Sequence, residues 1–266
     1  MDLGKFLAKA WHDVGVRIYL TGRLSIEACG NVVVEERQFR GKQGRLLFTY
    51  LVWERTRPVS KEELASVLWP EDLSPAWESG LSSLASKLGS MLSSEGMKDQ
   101  GLSLSRGLGQ YQVRFPSDVW VDVEAATSAL DRAEAAVRTG DPGSALGPAT
   151  VAVSIAGRPF LPGVTGIWPD SQRRKLVRQL VRALDCLNEM QLAVGEAQSA
   201  VETALRAVDL DPYRERTYQS LMRAYAATGN RAEAVGVYHR FRELLAADLG
   251  TEPSPETEAI YLNLLG

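Results

Sequence analysis

The clearest hydrophobic pattern lies between residues 74 and 94, where apolar residues return every three or four positions. Such spacing places them along one side of an α-helix. We predict a helix that begins at Ser74, whose hydroxyl can accept from free backbone N–H groups, with Pro75 in its first turn. The apolar side consists of Leu81, Leu84, Leu88, Met91 and Leu92. The opposite side is short-chained and polar, with one base: Glu78, Ser79, Ser82, Ser83, Ser86, Lys87 and Ser90.

The elements around this helix predict a small α+β domain. Three β-rich segments, residues 16–21, 24–28 and 31–35, are separated by turn residues and predict an antiparallel sheet. An apolar run predicts a first helix over about residues 42–55, and a capping box that starts at Ser60 predicts a second helix ending at Trp69.

Two further strands, residues 101–105 and 110–115, predict a closing hairpin. A sheet, three helices and a hairpin form the order of a winged helix. In that fold the third helix enters the major groove and the hairpin, or wing, lies along the DNA backbone.

The second half of the chain has a helical period and a repeat. Glycine and small or aromatic residues recur at a spacing of 34 residues, and a third copy lies further upstream. The first copy is Gly195, Ala200, Ala204 and Ala207, the second is Gly229, Ala234, Tyr238 and Phe241, and the upstream copy is Gly140, Ala145, Ala149 and Ala152. This period is typical of tetratricopeptide repeats, in which small residues let paired helices approach closely. We assign the extra residues before the second helix pair to a loop at 157–172, and expect Trp168 to hold this loop against the repeats.

The predicted organisation is therefore an N-terminal extension at 1–15, a winged-helix domain at 16–118 and an all-α tetratricopeptide-like helical repeat domain at 119–266. The 266 residues, 45% of them hydrophobic, suffice for two cores. Residues 1–115 carry a net charge of +2 and residues 116–266 a net charge of −5. This asymmetry favours a front domain that meets phosphate. We expect a cytoplasmic protein without a membrane span, because no apolar run is long enough and there are only two cysteines.

Specific motifs resemble the SARP family of bacterial antibiotic regulatory proteins. In the first domain they are RQFRGKQGRLLFTYLV from Arg37, SKEEL from Ser60 and VLWPED from Val67; in the second, the closing LGTEPSPET from Leu249 is similar to the family's activation domain. The resemblance implies an activator that binds promoter DNA and recruits RNA polymerase, including its sigma factor. A homodimer is a candidate assembly.

The predicted third helix and wing indicate which residues would contact DNA. We expect Ser79, Ser82, Ser83, Ser86, Lys87 and Ser90 to face DNA, with Arg106 on the wing and Arg45 and Arg57 nearby. The third helix departs from the family, which usually has basic residues there. An alternative is therefore a scaffold or sensor that has lost DNA binding and acts through a protein partner or small ligand.

No residue constellation suggests an enzyme, a cofactor or a metal site. His12 and His239 are the only histidines, and neither lies beside a cysteine or aspartate cluster. The glycines of Gly41–Gly44 lack the spacing of a phosphate-binding loop.

Overall fold

The computed structural model describes residues 15–71 and 73–266, and these form two compact units. One unit contains the residues up to Ala125 together with Arg158–Arg174, and the other contains Ala126–Gly157 and Lys175–Gly266. The predicted extension at residues 1–15 lies outside the described residues except for Gly15.

The first unit is a winged helix with two sheets. Its strands are β1 Val16–Tyr19, β2 Ser25–Ala28, β3 Asn31–Glu35, β4 Val59–Ser60, β5 Ser103–Gly107, β6 Gln110–Arg114 and β7 Trp120–Val121. Its helices are α1 Gly41–Trp53, α2 Lys61–Leu68, α3 Trp77–Leu92 and the short α4 Glu95–Lys98.

The first sheet has the strand order β3-β2-β1-β7. Neighbours are antiparallel except β1 and β7, which run parallel, with Ile18 opposite Val121. The second sheet has the order β4-β6-β5, and its β5–β6 hairpin is the wing. The two-residue strands β4 and β7 were not predicted, because segments this short show no alternation of apolar and polar residues.

The starts of α2 and α3 differ from the prediction. Ser60 accepts from the backbone N–H of Glu63 at 3.1 Å as predicted, but the Glu63 carboxylate bonds Tyr50 and Arg57 instead of returning to the cap. Helix α3 begins at Trp77, later than predicted, because residues 75 and 76 form a turn in which the carbonyl of Ser74 accepts from the N–H of Trp77 at 2.9 Å.

Within the first unit, the segment after residue 157 differs most from the prediction. Its second part is helical, since the helix Ile167–Ala193 begins there. The expectation that Trp168 holds this segment against the repeats is wrong. The Trp168 ring packs instead on α1, with ring centroids 4.9 Å from Tyr50 and 5.9 Å from Trp53, and 6.0 Å from Phe160. The backbone of Pro159 also accepts from the N–H of Gly22 at 2.7 Å.

The helical unit consists of helix pairs followed by one more helix. The helices are α5 Asp122–Arg138, α6 Pro142–Ala156, α7 Ile167–Ala193, α8 Ala197–Leu210, α9 Glu215–Ala227, α10 Arg231–Leu249 and α11 Pro255–Leu265. The first residues of α5, up to Ala125, and of α7, up to Arg174, belong to the first unit. The predicted repeat positions Ala145, Ala149, Ala152, Ala200, Ala204, Ala207, Ala234, Tyr238 and Phe241 are all buried. Gly140, Gly195 and Gly229 each have a positive φ in the turn before the second helix of a pair.

The predicted architecture, a winged helix followed by an all-α repeat domain, is confirmed. None of the helices in the described part of the chain combines the length and apolar character that a membrane span needs.

Candidate nucleic-acid interface

Helix α3 presents the polar side that its sequence predicts. Leu81, Leu84, Ala85, Leu88 and Leu92 are buried, so the leucine stripe faces the core of the unit. The polar residues Glu78, Ser79, Ser82, Ser83, Ser86, Lys87 and Ser90 are all exposed. The hydroxyl of Ser79 donates to the carbonyl of Ala76, just before the helix, at 2.8 Å, and that of Ser90 donates to the carbonyl of Ser86 at 3.0 Å. The predicted surface therefore exists, while its contact with DNA remains a prediction.

The wing brings Arg106 onto this helix. Arg106 pairs with Tyr111 across the hairpin, near its turn. A Cβ atom placed on Gly89 would lie 3.3 Å from Nη2 of Arg106, so the guanidinium crosses α3 directly over this glycine. Gly89 and Ser86 are three residues apart and thus neighbours on the helix surface. The structure thus brings Arg106 next to the polar side of α3, although the wing and the helix are separate segments of the sequence.

Arg40 is a further member of this surface. Its Nη1 donates to Oγ of Ser83 at 2.7 Å, across the surface of the unit. Arg40 was not among the predicted DNA-facing residues; in the sequence it belongs to the basic run of residues 37–45, before and within the first helix. The available signal was that basic run, and nothing in it distinguished Arg40 from Arg37, which pairs with Glu35 at 3.0 Å.

The acidic residue on α3 is neutralised from α2. The Lys61 ammonium lies 2.7 Å from a carboxylate oxygen of Glu78 and 5.8 Å from the centroid of the Trp77 ring. The hydrogen bond with Glu78 raises the pKa of Lys61, which keeps it charged. The backbone N–H of Lys61 also donates to the carbonyl of Gly109 at 2.9 Å, which ties the wing to the start of α2.

Arg45 and Arg57, two predicted DNA-binding residues, are held in ion pairs. Arg45 pairs with Glu36. Arg57 lies 2.8 Å from Glu54 and 2.5 Å from Glu63, and its hydrogen bond to Glu63 holds the pKa of that carboxyl below its usual range. Contact of either arginine with phosphate remains a prediction, and it would compete with these pairs.

Three other cations of this surface differ from Arg45 and Arg57 in their partners. Across residues 15–71 and 73–266, Arg40, Lys87 and Arg106 form no ion pair with a carboxylate. Their charge is therefore not offset by direct pairing among the described residues of the unit. Cations in this position are suited to phosphate oxygens, and serine hydroxyls between them can donate to or accept from base edges.

Comparison with known proteins identifies the second half of the chain. The family model described as bacterial transcriptional activator domain matches residues 121–265. Regulatory protein AfsR of Streptomyces coelicolor is 29% identical over 223 residues, which cover 84% of this chain and 22% of AfsR. Transcriptional regulatory protein EmbR of Mycobacterium bovis is 29% identical over 230 residues, which cover 83% of this chain and 57% of EmbR.

A solved structure has the same fold over most of the chain. Mycobacterium tuberculosis EmbR, in complex with a low-affinity phosphopeptide, superimposes with a TM-score of 0.80 at 24% identity. The match covers 94% of this chain and 65% of the EmbR chain. The chain thus spans about a fifth of AfsR and just over half of the EmbR sequence.

Proposed function

Because the chain belongs to the family of proteins with a bacterial transcriptional activator domain, we propose that it is a sequence-specific DNA-binding regulator of transcription. It acts in the cytoplasm as an activator. Its winged helix binds promoter DNA through the exposed side of α3 and the wing. Its helical unit contacts RNA polymerase, including the sigma factor. The function requires no catalytic group and no cofactor.

The observation that carries the DNA contact is the placement of Arg40, Lys87 and Arg106. All three lie on or against α3, and none is neutralised by a carboxylate within the described residues. Serines line the helix between these cations. This arrangement favours phosphate contacts that set the position of α3 and hydroxyls that read base edges.

The test is binding of the full chain to duplex DNA from upstream of its own gene across a salt series. Each lost phosphate contact flattens the slope of log affinity against log salt by about 0.9. The double variant Lys87→Ala/Arg106→Ala should therefore flatten the slope by about 1.8, measured by fluorescence anisotropy. The matched control is Arg23→Ala/Lys98→Ala, which removes two exposed bases from the same unit that were not placed in the interface.

An unchanged slope in the Lys87/Arg106 variant would remove these residues from the interface. Equal flattening in the control variant would show that only the net charge of the unit matters. The polymerase contact is tested separately, by whether the full chain retains RNA polymerase holoenzyme on a column. Light scattering with and without DNA tests the candidate homodimer.

The alternative is a scaffold or sensor that no longer binds DNA. It is favoured by two observations: α3 carries a single base, and Arg45, Arg57 and Lys61 are paired with carboxylates. Absence of any retardation of genomic fragments at low salt, with a stable co-purifying protein, would support this alternative.

A further inference from the structure

A pocket of about 390 Å³ lies within the helical unit, and its lining is rich in arginine. The charged residues of the lining are Glu134, Arg138, Arg182, Asp185, Arg214 and Arg216. They lie on α5, on α7, and at or just before the start of α9, which are the first helices of the successive helix pairs. Repeat proteins commonly use such an extended face for binding.

The arginines are fixed by carboxylates but not saturated by them. Arg182 donates to Glu134 through Nε and Nη2, both at 2.7 Å, and Arg214 uses the same two nitrogens on one oxygen of Asp185, at 3.0 Å and 2.9 Å. Since a guanidinium has five N–H donors, each of the two keeps its Nη1 group for another acceptor. Such fixed donors lose little conformational freedom when a ligand binds.

The other two arginines add charge with fewer partners. Arg216 donates to Glu189 through Nη2 alone, at 2.5 Å. Arg138 is exposed and forms no ion pair within the described part of the chain. With Glu189 counted beside Glu134 and Asp185, four arginines against three carboxylates leave a surplus of one positive charge at the pocket.

The rest of the lining does not oppose an anion. It consists of Val137 and the buried Cys186. Burial, with the nearby Glu134, Glu189 and Asp185 carboxylates, raises the pKa of Cys186 to about 11. The thiol is therefore neutral at physiological pH and does not repel a negative ligand.

We propose that this pocket binds a small anionic ligand that carries a phosphate group or clustered carboxylates. Planar guanidinium groups suit the oxygen pairs of both groups. The volume falls in the range of small-molecule sites, about 300–1,000 Å³. Every lining residue belongs to the helical unit, so the proposal does not depend on DNA binding by the winged helix.

If the same arginines had a purely structural role, we would expect a different arrangement of charged partners around them. Ion pairs that only join helices need one carboxylate for each arginine. Arg138 forms no ion pair with a carboxylate of the described residues, and it is exposed beside the pocket. Arg138 is therefore the residue whose removal separates ligand binding from folding.

The test is isothermal titration calorimetry of the full chain with two probes, inorganic pyrophosphate and citrate. The buffer contains about 150 mM NaCl, because salt at this concentration screens weak binding to surface charges. We expect saturable binding of at least one probe. Binding of pyrophosphate alone assigns a phosphate-bearing ligand, and binding of citrate alone assigns a carboxylate ligand.

Arg138→Gln should weaken that binding about tenfold or more, as expected for the loss of one charge-assisted contact. The matched control is Arg132→Gln, which removes another exposed arginine of α5 that does not line the pocket. Arg216→Gln is a second variant and should weaken binding in the same direction. The proposal is overturned if neither probe saturates at millimolar concentration, if Arg138→Gln binds like the unmodified chain, or if Arg132→Gln loses as much affinity.

Discussion

At the scale of single residues, Gly89 lies where the wing meets α3. A Cβ there would be 3.3 Å from Nη2 of Arg106, close enough to displace the guanidinium by a few tenths of an ångström. Alanine is also about 1 kcal/mol more favourable than glycine inside a helix. We therefore expect Gly89→Ala to keep or slightly raise the free energy of unfolding while it weakens DNA binding.

The control variant for Gly89→Ala is Gly80→Ala on the same helix. A Cβ on Gly80 would lie 3.6 Å from the Trp69 ring, an ordinary contact that leaves Arg106 in place. Urea denaturation and DNA anisotropy measured on both variants separate the two effects. Equal DNA affinity of the two variants would contradict the placement of Arg106 in the interface.

Asp122 is a second residue with a defined role, which is to accept hydrogen bonds from buried donors. Its buried carboxylate accepts from the N–H groups of Leu20, Thr21 and Val123 and from the hydroxyl of Thr21, at 2.7–3.0 Å. An asparagine would turn an N–H₂ group towards these donors. We expect Asp122→Asn to lower the free energy of unfolding by about 3 kcal/mol, measured by urea denaturation. The exposed Asp118→Asn should change it little, and an equally small effect of Asp122→Asn would contradict this role.

At the scale of elements, the segment from Arg158 to Arg174 belongs to the same compact unit as α1. Arg173 holds its loop by donating to the carbonyls of Phe160, Leu161 and Val164 at 2.5–3.0 Å. The rings of Phe160 and Trp168 then pack against Trp53. A segment matched by the activator-domain model is thus part of the core of the winged-helix unit.

We expect Trp168→Ala to lower the free energy of unfolding by about 3 kcal/mol, because it removes the ring that contacts Tyr50, Trp53 and Phe160. Ile167→Ala is the control, since Ile167 is 80% exposed. Urea denaturation followed by tryptophan fluorescence measures both. A similar small loss in the two variants would show that the aromatic cluster does not stabilise the unit.

Local periodicity made the helices and the repeat predictable from sequence. The serine side of α3 and the small residues of the helix pairs both follow from spacing alone, and the structure places them as expected. The placement of Trp168 against α1 and of Arg106 over Gly89 was not predictable. Each depends on pairing between residues far apart in the chain, which a single sequence does not encode as a pattern. The pocket was missed for the same reason, because its arginines come from three helices.

At the scale of the whole molecule, the two proposed sites use different cations in different units. Arg138→Gln should leave the salt dependence of DNA binding unchanged in the absence of ligand. Lys87→Ala/Arg106→Ala should leave the titration with pyrophosphate or citrate unchanged. Both measurements use the full chain. A loss of both activities in either variant would mean that the variant perturbs folding or that the sites share residues.

The central claim is that the exposed side of α3 lies against duplex DNA. It is tested most directly by replacing Ser86 with cysteine in a Cys29→Ser background, since Cys29 is the exposed native cysteine, and attaching a photoreactive group. The same label at Ser154, an exposed residue of α6, is the control. We predict light-dependent crosslinking to upstream duplex DNA from position 86 and little from position 154. No crosslink from position 86, under conditions where the labelled protein binds that DNA, would contradict the account.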